Sequence, residues 1–218
     1  MLIESRFAGP PGSGNGGWSA GVFAAALDDR GPVEVTLRRP PPLETPLTVV
    51  DGEVHDPGGA VVAQVRRVEP FRAVVPPVDR ATAEAASVAY PGLVDHPFPG
   101  CYVCGPENPH GLRIFPGRLP DGRTAAPFDA PDPVAPATVW AALDCPGGWA
   151  VIAPGRPYVL GRIAAVVAAL PEPGDACVVT GATVGGAGRK AEVHSSLYGP
   201  TGTLLGWARA TWIALPPA

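Results

Sequence analysis

The chain has 218 residues, 46% hydrophobic against 17% charged, which is enough apolar material for a packed core and too little charge for a disordered chain. A net charge of −4, with no basic run longer than the pairs Arg38-Arg39 and Arg66-Arg67, excludes the electrostatic footprint of a DNA or RNA binder. No stretch reaches the ~18 uninterrupted apolar residues of a membrane span, the opening MLIESRFAGP has neither a basic nor an apolar leader segment, and four cysteines are too few for a secreted disulfide scaffold. The expectation is a cytoplasmic protein without a membrane or nucleic-acid partner.

Residues 14–27, GNGGWSAGVFAAAL, are apolar on nearly all sides and predict a buried helix. After the turn Asp28-Asp29-Arg30-Gly31-Pro32 come three strand-like runs, VEVTL, PLTVVDGEVHD and AVVAQVRRV, the last two separated by a hairpin turn at Asp56-Pro57-Gly58-Gly59. Residues 70–100 are rich in Pro and Ala without a clear period and read as a long connector. A second apolar helix is predicted over 136–144, PATVWAALD, with Pro136 at its first position. Four strand-like runs follow it: LGRIAAVVAAL, ACVVTGATVGG, RKAEVHSSLY and TLLGWARATWIAL, the last two joined by a hairpin turn at Gly199-Pro200-Thr201-Gly202. In the third run Lys190, Glu192, His194 and Ser196 share one face while Ala191, Val193, Ser195 and Leu197 share the other, the pattern of a sheet covered on one side.

Helix then strands therefore occurs twice, and the ten residues from Asn15 to Ala24 align with the ten from Ala135 to Asp144. This divides the chain into a first repeat (1–78), a connector (79–98) and a second repeat (99–218). The order resembles the hotdog fold, and the tandem copy resembles its double-hotdog form: an α+β protein with two curved antiparallel sheets, each wrapped around a buried helix. The closing run PEPGDACVVTGATVGGAGRKAEVHSSLYGPTGTLLGWARATWIAL resembles the last strands of hotdog thioesterases. CYVCGPENPHGLRIF, residues 101–115, is similar to the leader before the first strand in the acyl-CoA thioesterase branch.

The resemblance implies hydrolysis of an acyl-CoA or acyl-carrier thioester, with no cofactor beyond the CoA of the substrate itself. In that family the helix begins His-Gly-Gly and carries an Asp nine residues after the His. Here the requirements are split. Asn15-Gly16-Gly17 matches the start of the first copy, but Ala24 stands where its carboxylate belongs; Asp144 matches the carboxylate of the second copy, whose start has Pro136 and no N–H to donate. The implied site is composite: Gly17 gives its N–H to the thioester carbonyl, Asn15 orients carbonyl or water, and Asp144 is the base. The competing reading makes Asn15 a helix cap and Asp144 a helix end before Cys145-Pro146-Gly147-Gly148.

Asn108 is a candidate pocket residue by the same resemblance, with an Asx-turn as its alternative. Arg189 and Lys190 open a strand where the family places cations near CoA phosphates, with a solvated strand end as theirs. His96, Cys101, Cys104 and His110 are ligand types for Zn²⁺, but one C-x-x-C without a second tight pair does not assign a metal. The tryptophans read as core packing, with Trp18 and Trp149, near helix ends, as candidates for the wall of an acyl pocket, and His194 reads as exposed or hydrogen-bonded rather than catalytic. The rival function is a non-catalytic acyl-CoA or small-ligand binder, since the catalytic set is split between copies. Two such chains could also pair as a homodimer through exposed sheet faces.

Overall fold

The structure is a computed structural model that describes residues 1–27 and 31–216; positions 28–30 of the predicted turn lie outside the described residues. The first helix, α1 (Gly16–Ala24), starts where Asn15 Oδ1 accepts the Trp18 N–H at 2.8 Å, an N-cap bond. It is shorter than the predicted 14–27: the bond at Asn15 sets its start, and beyond Ala24 the backbone tightens to the i→i−3 bonds Ala26 N–H to Phe23 O and Leu27 N–H to Ala24 O. Gly17, Ser19, Ala20, Gly21, Phe23 and Ala24 are buried, as befits a helix enclosed on most sides.

Strands β1 (Val33–Leu37), β2 (Thr48–Val50), β3 (Glu53–His55) and β4 (Val61–Arg67) follow. The run read as one strand, PLTVVDGEVHD, is a hairpin: Asp51 and Gly52 both have positive φ (49° and 78°), the requirement of a tight turn that matches strand twist. At the next turn Asp56 Oδ1 accepts the N–H groups of Gly58 and Ala60, each at 2.9 Å.

The connector is not irregular throughout. It contains α2 (Arg80–Val88), capped by Asp79 Oδ1 on the Thr82 N–H at 2.7 Å. The helix buries only Ala83 and Ala86, and side chains that small carry little periodic signal. Before it the chain crosses the outer face of the sheet. There the Val75 N–H donates to Ser196 Oγ (2.9 Å), and Val75 O accepts from Tyr198 Oη (2.6 Å). This crossing buries Ser196, which the alternation had placed on the open face, and it accounts for the connector's length.

Two strands that the sequence reading passed over, β5 (Gly117–Arg118) and β6 (Thr124–Asp129), lead to α3 (Pro136–Ala142). The predicted helix 136–144 is then broken: α4 (Cys145–Trp149) restarts after a junction at Asp144. The last strands are β7 (Tyr158–Val167), β8 (Ala176–Ala187), β9 (Lys190–Tyr198) and β10 (Leu204–Ala214). The ten strands of the described residues form one sheet in the order β2-β3-β4-β1-β7-β10-β9-β8-β6-β5, with every pairing antiparallel. Where two sheets were expected, β1 and β7 pair at the centre, Val35 opposite Ile163, so neither strand is left with an open edge. On the outer face Glu34 of β1 accepts from Arg66 Nε of β4 at 2.9 Å, with Arg162 Nε of β7 at 3.6 Å, which ties three neighbouring strands together.

On the other face α1 lies across β1 and β7 and packs against α3. The two helices touch at backbone distance. A Cβ on Gly21 would lie 2.7 Å from Ala137 Cα and 2.9 Å from Trp140 Cβ, and one on Gly17 would lie 2.5 Å from Asp144 Cβ. Among the described residues no helix is long and apolar enough to cross a membrane.

Overpacking of this kind costs roughly 1–3 kcal/mol, against the ~1 kcal/mol that Ala gains over Gly inside a helix. Gly21→Ala is therefore expected to lower stability by about 1–2 kcal/mol in chemical denaturation, since its nearest neighbour is backbone. Gly100→Ala, whose Cβ would meet nothing within 4 Å, should stay within about 0.5 kcal/mol of the parent.

Candidate functional site

Asp144 sits at the α3–α4 junction, 2% exposed. Its Oδ2 accepts the Gly17 N–H at 2.9 Å and Asn15 Nδ2–H at 3.3 Å. Its Oδ1 is buried and has no hydrogen-bond partner among the described residues, a costly state for a carboxylate unless another molecule fills it. Burial pushes the carboxyl up to about 7, helped by the nearby charge of Cys101 and opposed by the bonds from Gly17 and Asn15. A carboxyl held there exchanges protons near neutral pH.

Asp144, Asn15 and Gly16 line a cavity of about 470 Å³, within the size range of small-molecule sites. Its wall is largely apolar, with Leu37, Phe98, Trp149, Leu160, Trp212 and Ile213. Three exposed cations, Arg38, Arg39 and Arg189, also line it. The combination suits a ligand with an apolar part and an anionic part.

Cys101, Cys104 and Cys145 stand in the same wall, with Sγ separations of 3.6 Å (101–104) and 3.9 Å (101–145). Cys104 donates to Cys101, which favours the Cys101 thiolate, while burial pushes the Cys104 and Cys145 thiols up. Asn15 Nδ2 also reaches Cys101 Sγ at 3.6 Å, so one amide links the carboxylate to the sulfur cluster.

No family model matches the sequence, and no curated protein matches it. Solved structures do. A protein from Novosphingobium aromaticivorans, provisionally assigned as a thioesterase, aligns with a TM-score of 0.66 at 17% identity, over 98% of this chain and 93% of its own. A protein from Thermobifida fusca, provisionally assigned as a thioesterase II, gives 0.58 at 17% identity, over 99% and 91%. A protein of unknown function with a hot dog fold from Alicyclobacillus acidocaldarius gives 0.53 at 13% identity, over 100% and 92%. The chain has the hotdog fold.

On this hotdog scaffold the residues singled out by sequence separate into two groups. Asn15, Gly17 and Asp144, up to 129 positions apart, meet in one hydrogen-bonded cluster. The reading of Asp144 as a plain helix end misses its contacts with α1, and the reading of Asn15 as a cap holds alongside its bond to Asp144. The Gly17 N–H is aimed at Asp144 rather than at open space. Gly16, not Gly17, lines the cavity, and its N–H has no partner among the described residues. Arg189 lines the cavity; Lys190 is exposed and does not.

Asn108 does not line this cavity. It is buried away from the cavity wall, with Nδ2 donating to Gly100 O (2.9 Å) and Oδ1 accepting the His110 N–H (2.9 Å), an Asx-type turn. His110 is exposed and stands outside the sulfur cluster; Cys145 is there instead. Trp149 lines the cavity, whereas Trp18 stacks on Phe7 at 3.7 Å and does not. Arg38, Arg39 and Cys145, to which the sequence assigns no site role, also line the cavity. The last had one visible signal, its position directly after the carboxylate already singled out.

Because Asn15 both caps α1 and holds Asp144, Asn15→Ala is expected to lose about 1–2 kcal/mol in chemical denaturation. Asn15→Ser, which keeps a capping oxygen, should recover roughly half of that loss. An Ala variant as stable as the parent would show that neither bond matters.

Proposed function

We propose that the chain is a tandem pair of hotdog repeats, residues 1–78 and 99–218, which hydrolyses an acyl-CoA or acyl-carrier thioester at one composite site. The observation that carries this reading is the Asp144 carboxylate, with one oxygen held at the start of α1 and the other buried without a partner. The helix–strand order on both sides of the central β1–β7 pair supports the tandem architecture. The four buried free thiols suit a reducing cytoplasm.

In this mechanism Gly17 and Asn15 orient the base, and the thioester carbonyl lies at the first turn of α1. There the Gly16 N–H and the positive end of the helix meet the developing oxyanion. A water held by Asp144 Oδ1 attacks the carbonyl carbon as the carboxylate takes its proton. The tetrahedral intermediate collapses with loss of the thiolate, to which Asp144 returns the proton, and the carboxylic acid departs. A carboxyl pushed up to about 7 by burial is suited to both transfers at neutral pH. The apolar wall receives the acyl chain. The cations at Arg38, Arg39 and Arg189 receive the phosphates of the carrier.

A second reading, a non-catalytic binder of the same esters, is favoured by the bond that occupies the Gly17 N–H. The two separate in an assay of free-thiol release from short, long and aromatic acyl-CoAs. Asp144→Asn is expected to lower kcat at least ~100-fold with little change in the affinity for CoA ester; binding without thiol release by the parent would establish the binder instead. Replacing Arg38, Arg39 and Arg189 together by Ala should raise KM for acyl-CoA about tenfold or more and leave KM for acyl-pantetheine, which lacks the nucleotide phosphates, nearly unchanged.

A further inference from the structure

The sulfur cluster beside Asp144 has no task in thioester hydrolysis, yet it is built with care. Cys101 and Cys104 lie on a tight turn in which the Gly105 N–H bonds back to Cys101 O at 2.8 Å. A Cβ on Gly105 would come within 2.3–2.6 Å of three backbone atoms, so only glycine closes the turn. Cys145, the first residue of α4, brings the third sulfur from 41 positions away in sequence. All three Sγ atoms lie within 4.8 Å of one another and all three residues are buried.

These spacings suit a single thiophilic cation. A tetrahedral ion with sulfur ligands at about 2.3 Å requires S···S separations of about 3.8 Å; the structure has 3.6 Å and 3.9 Å for the two pairs that involve Cys101. A disulfide needs about 2.05 Å, and the cysteines are free. N–H groups that offset the charge of coordinated thiolates are in place. Trp149 Nε1–H donates to Cys104 Sγ at 3.4 Å and Asn15 Nδ2–H to Cys101 Sγ at 3.6 Å. His96 belongs to this outer layer rather than to the ligands. Its Nδ1 accepts the Phe98 N–H at 2.8 Å, which leaves the ring proton on Nε2, 3.4 Å from Cys104 Sγ. A metal-ligating histidine would instead donate from its second nitrogen.

We infer that Cys101, Cys104 and Cys145 form a three-thiolate site for Zn²⁺ whose fourth position opens on the cavity, the arrangement of a site that exchanges a ligand rather than a closed structural one. Binding displaces the thiol protons to solvent. The bound ion pins the 101–104 turn to α4 and so shapes the cavity wall beside Asp144. This holds whether or not the chain hydrolyses a thioester, because the test reads metal and not turnover.

Elemental analysis of the full-length protein, purified without added chelator, is expected to find about one zinc per chain. Cys104→Ser and Cys145→Ser should each lose most of it, while Cys177→Ser, whose thiol lies in β8 outside the cluster, should keep it. Since the first two variants could fail to fold, the parent is also stripped with a chelator and given Co²⁺ alone. The expected result is a thiolate-to-cobalt charge-transfer band in the near ultraviolet and the intense visible bands of a tetrahedral ion. Added 2-mercaptoethanol should shift the visible bands by entering the fourth position. Zinc-free protein that gives no charge-transfer band with Co²⁺ overturns the site, and so does full zinc content in folded Cys145→Ser. Visible bands indifferent to the added thiol overturn the open position.

Discussion

The structure depends on the contact between α1 and α3 being made at backbone distance. Gly17 and Gly21 face Asp144, Trp140 and Ala137 with no room for a Cβ. Two helices held so close bring the peptide N–H of one within 2.9 Å of the carboxylate of Asp144, just beyond the end of the other, a distance that ordinary side-chain packing at 8–10 Å between axes does not give. The small residues thus serve two ends, helix packing and delivery of Asp144 to the start of α1. A larger residue at either glycine would disturb both.

Around that contact the fold tolerates a polar arrangement that a plain core would not. Asp144 is 2% exposed with one oxygen unpartnered, and three thiols stand beside it. Burying such groups without complete hydrogen bonding opposes folding. The apolar cluster that runs from Ile3 to Ala214 and the continuous ten-stranded sheet supply stability elsewhere. Unfavourable burial tends to gather where a protein binds or reacts. Both the proposed hydrolysis and the proposed zinc site draw on this one region, and Asn15, bonded to carboxylate and sulfur alike, is what joins them.

Most strands were legible because their signals are local. The alternation along Lys190–Tyr198 and the Asp-Pro-Gly-Gly and Gly-Pro-Thr-Gly turns depend on neighbours a few residues away. The short strands β5 and β6 and the helix α2 escaped because their apolar residues are few or small. A resemblance between loops does not say which way an amide turns: the Asn108 oxygen accepts the His110 N–H. Ser196 alternates with polar residues, yet the connector crosses above it and buries it, a contact between residues 121 positions apart that no local pattern signals.

By itself the sequence determined the two apolar helical segments, the strand-rich runs that follow each of them, and Asp144 as a residue out of keeping with an apolar helix. It did so because periodicity, turn chemistry and capping act over a few residues. Only the tertiary structure decided that β1 pairs with β7, that Gly17 faces Asp144, that Arg38 and Arg39 share a cavity with Arg189, and that Cys145 completes the group begun by Cys101 and Cys104. Those contacts join residues from 41 to more than 100 positions apart. Their geometry is set by helix crossing and strand pairing, for which no short stretch of sequence carries a signal.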